Sequence, residues 1–142
     1  MMETLVNQTE RINQTEKDFS AGHALVYDSE LSCIVSRWSG FVSKKDLIEG
    51  GLQALQLLNQ TQSTSLLVDH REIHGTWADI SDWQLNIWLP QALASGLNKF
   101  ALIANPGSYS VMATEPLFQA IYSKLEVMIF SELQEAKFWL NS

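Results

Sequence analysis

Residues 42–69 read VSKKDLIEGGLQALQLLNQTQSTSLLVD, and within them a helix gives way to a strand of a distinctive kind. Ser43 and Asp46 have the spacing of a capping box, and Val42 and Leu47 occupy the two positions of a hydrophobic staple. Leu47, Ile48, Gly51, Leu52, Leu55 and Leu58 then fall on one helical face. Gly50-Gly51 in mid-helix costs about 1 kcal/mol each against alanine, so a close approach of this helix to a sheet is expected there. Leu66-Leu67-Val68 shows no alternation, which marks a strand buried on both faces, as in a parallel sheet.

Upstream of this unit, His23–Tyr27 and Leu31–Trp38 read as a β-hairpin turning at Asp28-Ser29-Glu30. Downstream, a second helix is expected from Asp79 or Ser81 to Ser95, ended by Gly96. Pro90 should kink it or open a second short helix. A polar loop from His70 to Ala78 precedes it. Lys99–Ala104 is the next strand, followed by the turn Asn105-Pro106-Gly107. A third helix is expected over Thr114–Ser123, with Pro116 in its first turn. Glu126–Phe130 is the last strand, and Ser131 with Gln134 predicts a second capping box opening a helix through Leu140. The order β-β-α-β-α-β-α-β-α predicts an α/β fold: a mostly parallel mixed sheet with one antiparallel strand and right-handed crossovers. Residues 1–21 are expected to be a polar lead-in, partly disordered or helical, and residues 22–142 one domain.

Composition narrows the function classes. The 142 residues carry 9 basic against 16 acidic side chains, a net charge of -7, which argues against a binder of the nucleic-acid backbone. A single cysteine excludes a disulfide framework within the chain. Met1–Asn7 lacks the features of a secretory signal, and no window nears the ~20 apolar residues of a membrane span. A soluble cytoplasmic protein is the expectation. The sequons at Asn7, Asn13 and Asn59 accordingly read as polar, helix-flanking sequence.

Three strings carry a family resemblance: Trp38-Ser39-Gly40-Phe41 after the hairpin, Leu66-Leu67-Val68-Asp69 as the central strand, and Phe130, Glu135-Ala136 and Trp139-Leu140 at the end. In order and spacing the chain resembles the STAS-like (SpoIIAA-like) superfamily, closest to small single-domain bacterial members without an assigned role. The resemblance implies a SpoIIAA-like fold and a regulatory module that works through protein contacts. Regulatory members carry a phosphorylatable serine in an Asp-Ser-Ser-Gly-type motif at the start of the second helix. Asp79-Ile80-Ser81-Asp82 matches it only at Asp79 and Ser81. A phosphate on Ser81 would meet a helix N-terminus but also two acids, so Ser81 reads first as an N-cap. Some STAS-like relatives are grouped with lipid-transfer domains, which implies a second possibility, a ligand module.

In open α/β sheets, sites collect beyond the carboxyl ends of the parallel strands. That rule picks out a polar rim of Asp69, His70, Arg71, His74, Asn105 and Tyr109. His70 and His74 have i, i+4 spacing, but in a loop and without the His-Glu-x-x-His order, so no metal and no cofactor is expected. Cys33 lies mid-strand, and no Gly-x-Ser-x-Gly elbow or phosphate-binding glycine loop is present, so no catalytic residue is assigned. An enzyme would need Asp69, His70 and His74 to converge. The second helix offers more. Ile80, Trp83, Ile87 and Ala94 form one apolar stripe, and Leu85, Trp88, Leu89 and Ala92 form an adjoining one. One sheet-facing stripe needs only one of these groups, so a broad apolar surface is left over. The first expectation is therefore a non-enzymatic protein-interaction module, a homodimer or a complex with another protein, in which Trp88 loses exposure. The alternative is a small-ligand or lipid-binding module whose pocket between second helix and sheet is lined by Trp77, Trp83 and Trp88.

Overall fold

The computed structural model describes residues 22–142 and the backbone of 16–19. Six strands form one sheet in sequence order: β1 (Glu16–Phe19), β2 (His23–Asp28), β3 (Cys33–Phe41), β4 (Ser65–His74), β5 (Lys99–Ile103) and β6 (Glu126–Phe130). β1 and β3 pair antiparallel with β2, and β3 to β6 pair in parallel. The expected mixed sheet is therefore present, with β2 alone running against the rest. The strand at Glu16–Phe19 was not foreseen within the lead-in; Asn7 and Asn13 lie outside the described residues.

Helices cover the two faces unequally. On one face lie α1 (Lys44–Thr61), a helical stretch running from α2 (Ser81–Trp83) through α3 (Leu89–Ala94), and α4 (Tyr109–Ile121). They bury Leu25, Ile34, Leu66, Phe100 and Leu102 of the sheet. On the other face α5 (Leu133–Leu140) sets Ala136 and Leu140 against Val35, Leu67, Ala101 and Ile103. Leu66 and Leu67 thus serve opposite layers, each at most 2% exposed, as the unalternating run requires.

The helix start at Ser43 forms as expected. Ser43 Oγ accepts from the Asp46 amide and Asp46 Oδ2 from the Ser43 amide, each at 3.0 Å. Val42 and Leu47 are buried together. Asn105-Pro106-Gly107 makes its turn, with the Ser108 amide donating to the Asn105 carbonyl at 3.1 Å and Gly107 at φ +72°.

Other expectations are corrected. β4 does not stop at Asp69 but runs on to His74 through an irregularity. Arg37 pairs with Asp69 and Ser39 with Glu72, so Trp38 stands opposite two residues, His70 and Arg71. α4 starts at Tyr109, not Thr114, and holds Pro116 in its interior. Pro116 and Met112, four residues earlier, lie on the exposed side, where water can take the carbonyl that the missing N–H leaves. The second capping box is not formed: Glu132 is the N-cap of α5 and makes no side-chain cap.

Candidate functional site

The glycine pair of α1 meets two tryptophans from different elements. A Cβ at Gly50 would lie 2.5 Å from the ring of Trp38 on β3, and one at Gly51 would lie 2.9 Å from the ring of Trp83 on α2. The expected approach to the sheet is met at Gly50, while Gly51 makes room for the second helix instead. The Trp88 indole N–H donates to the Gly51 carbonyl at 3.0 Å, so its polar atom is satisfied within the chain.

Gln84–Trp88 is a π-helical turn between α2 and α3, closed by the Leu89 amide on the Gln84 carbonyl. Pro90 has no N–H to give, and the widened turn before it relieves the clash of its ring with the preceding turn. The consequence is a change of phase. In a regular α-helix Trp83 and Trp88 would point ~140° apart. A turn closed over five residues brings them to the same side, facing Gly51. Trp83 of one stripe thereby joins Trp88, Leu89 and Ala92 of the other on the inner side, while Ile87 and Ala94 stay exposed. Trp88 is 5% exposed, in its own core, and Trp83 is half-buried. Of the four residues expected on the interaction surface, Ile87 alone is exposed, at 46%.

Between the sheet and this helical stretch lies a cavity of about 380 Å³, bounded also by α1 and α4. Trp38, Trp77, Trp83, Trp88, Phe100 and Tyr109 give it an aromatic wall. Asp79, Met112 and Pro116 are lining residues that are also exposed, and they mark its mouth. The Tyr109 hydroxyl donates to the Trp77 carbonyl at 2.8 Å, and the two rings meet edge-on at 4.6 Å, tying the segment before α2 to α4.

Polar groups inside are few. Ser36 Oγ is engaged by His23 Nε2 at 2.7 Å, and the His23 ring stacks on Trp38 at 3.9 Å. His70 comes off β4 on the same face, its ring edge-on to Trp77 at 5.8 Å. It is 9% exposed, and its Nδ1 is buried without a hydrogen-bond partner. Burial holds its pKa down to about 4, so it is neutral at pH 7; burial does the same to His23.

The expected polar rim does not converge. Asp69, one residue before His70, projects to the α5 face. There its carboxylate holds Arg71 at 2.8 and 3.1 Å. Burial raises the Asp69 pKa, but the hydrogen bonds and charge of Arg71 outweigh it and leave it lowered. Asn105 Nδ2 donates to the Arg71 carbonyl, and His74 is exposed beside Phe41. The Asp69–His70–His74 constellation an enzyme would need is not formed. Ser81 is not an N-cap either. Ile80 holds that position, and the Ser81 amide and hydroxyl both donate to Asp79 Oδ1. Among the described residues no group of three His, Cys, Asp or Glu is placed to hold a metal. Cys33 is buried, and desolvation pushes its thiol up to about 12. What sequence reasoning missed is Trp38, Ser36 and His23. The Gly50-Gly51 doublet pointed only to a close approach of α1 to the sheet, and the bulky Trp38 ring it accommodates was not anticipated.

The SpoIIAA-like family profile matches residues 33–141. The chain belongs to the SpoIIAA-like family. A crystal structure of an uncharacterised DUF3478-family protein with a SpoIIAA-like fold, from Shewanella loihica PV-4, resembles it with a TM-score of 0.51 and 19% identity. That likeness covers 87% of this chain and 98% of the other, and at this identity it speaks for the fold. No curated protein matches the chain. In this SpoIIAA-like domain no helix among the described residues is long and apolar enough to cross a membrane.

Proposed function

We propose that this SpoIIAA-like domain is a non-enzymatic module that binds a small, mainly apolar ligand in the cavity between the second helix and the sheet. The observation that carries the reading is the cavity itself, about 380 Å³ with an aromatic wall and few polar side chains, His70 the deepest of those without a hydrogen bond. That volume and mix of surfaces suit small-molecule sites, which run from ~300 Å³ upward and are mainly apolar with a few placed polar groups. The reading through protein contacts of the second helix is weaker, because Trp88 has almost no exposure left to lose. Among the described residues the Asp69, His70 and His74 side chains that an enzyme reading needs are not brought together.

The test is a titration with the neutral dye 1-aminoanthracene, followed by dye fluorescence and native mass spectrometry. Saturable one-to-one binding is expected. Ala113→Phe, which fills the cavity from α4, should weaken it about tenfold or more while the circular dichroism spectrum is unchanged. A wild-type protein that takes up no dye, or binding indifferent to Ala113→Phe, would sink the reading.

A further inference from the structure

We infer that the ligand is an uncharged amphiphile with one hydroxyl head, which hydrogen-bonds to His70 where β4 meets the cavity. This rests on the cavity being a ligand site and adds the chemical class of what fills it. Three observations exclude the charged alternatives and select the hydroxyl.

The first concerns cations. No Lys or Arg lines the cavity. Arg71, next to His70 in the chain, is held by Asp69 on the opposite face of the sheet. A carboxylate or phosphate head inside would be desolvated with nothing to pair with.

The second concerns anions. Asp79 is the one carboxylate among the lining residues, and it sits at the exposed mouth with the Ser81 amide and hydroxyl bonded to it. It adds repulsion against an anionic head. A cationic head would meet water-screened charge there, and none deeper in.

The third is His70. A neutral imidazole has one N–H and one bare nitrogen; Nδ1 is closed off even from water, so Nε2 is the ring nitrogen a cavity ligand can reach, as donor or acceptor according to the tautomer. A hydroxyl both donates and accepts, so it suits either tautomer. A carbonyl or ether suits only one. Ser36, a polar neighbour on β3, is already engaged by His23, and Gln84 lies farther toward solvent, so His70 is the most deeply buried anchor left for a ligand.

The experiment titrates the full chain at pH 7.5 with three probes of one chain length: 1-decanol, decanoate and decyltrimethylammonium. Binding is followed by intrinsic tryptophan fluorescence and native mass spectrometry. Decanol should bind about tenfold or more tighter than either ion. His70→Leu should weaken decanol by about three- to tenfold and leave the ions where they were, and His70→Gln should restore part of the loss. Decanoate or the ammonium binding as well as decanol overturns the inference while leaving the cavity a ligand site. A decanol affinity unchanged in His70→Leu overturns the role of His70. If the leucine variant unfolds, the ranking of the probes on the wild-type chain still decides the ligand class. Binding of none of the three would overturn the inference and, together with a failure to take up 1-aminoanthracene, the cavity reading beneath it.

Discussion

Gly50 is a position where helix propensity and packing have opposite signs. On an exposed helix face, Gly→Ala stabilises by ~1 kcal/mol. Here the added methyl would stand 2.5 Å from Trp38 and 2.9 Å from His23 Nδ1, inside a packed layer. Gly50→Ala should therefore destabilise by about 1–3 kcal/mol in urea unfolding, and a gain in stability would contradict the packing described. His70 carries a second residue-scale prediction. Its pKa is about 4 in the fold against ~6.5 unfolded, so between these values the unfolded chain holds more protons. Stability is then full above pH ~6.5 and is lost as the pH falls toward 4, on the order of 2 kcal/mol by pH 5 from this group. His23 contributes with the same sign and its charge opposes protonation of His70, while Asp69 favours it. The lowered Asp69 pKa acts in a separate window, below the usual carboxylate range. The urea midpoint should drop between pH 7.5 and 5.0, and His70→Leu should make that drop shallower.

At the scale of elements, the irregular turns explain both what the sequence made legible and what it hid. Regular units read well: the Ser43–Asp46 box, the α1 face and the Leu66-Leu67-Val68 strand each follow from one periodicity. The far half of β4 did not, because its alternation slips. Leu66, Val68 and His70 share a face, but Ile73 rather than Glu72 continues it, packing with Trp38 and Val42. A strict period of two therefore fails at the residues opposite Trp38, and the segment looks like a loop. The second helix misled in the same way. A fixed 100° step puts Trp83 and Trp88 on different stripes, and the π turn before Pro90 puts them on one. The site residues were thus half legible: the tryptophans were named, but their common direction depended on a turn that periodicity cannot see. A deletion tests this. Removing the exposed Asn86, with Pro90→Ala to restore an N–H, would leave the tryptophans four apart on a regular helix and on one side. That variant should fold and still take up 1-aminoanthracene. Removing Gln56 from regular α1 should instead cost several kcal/mol, because Leu57 and Leu58 would be turned by ~100° out of their layer.

In the whole molecule, three helical stretches crowd one face of the sheet and one helix covers the other. The cavity lies in the thicker layer, where α1, the second helix and α4 leave space over β3 to β5. Its walls belong to the chain's own core, which separates ligand binding from assembly. If the second helix were the contact between copies, Ile87 would have to carry it, since Trp83 and Trp88 face inward. Ile87→Lys is expected to leave the native mass of the protein unchanged; a shift toward a smaller species would restore the helix as an interface. The glycine pair has a consequence on a longer timescale. Position 50 is limited by the ring at 38 and position 51 by the ring at 83, so neither side of either pair is free to drift alone. Across related sequences a larger residue at 50 should coincide with a smaller one at 38, and likewise 51 with 83. The two pairs should leave a covariation signal linking α1 independently to β3 and to α2.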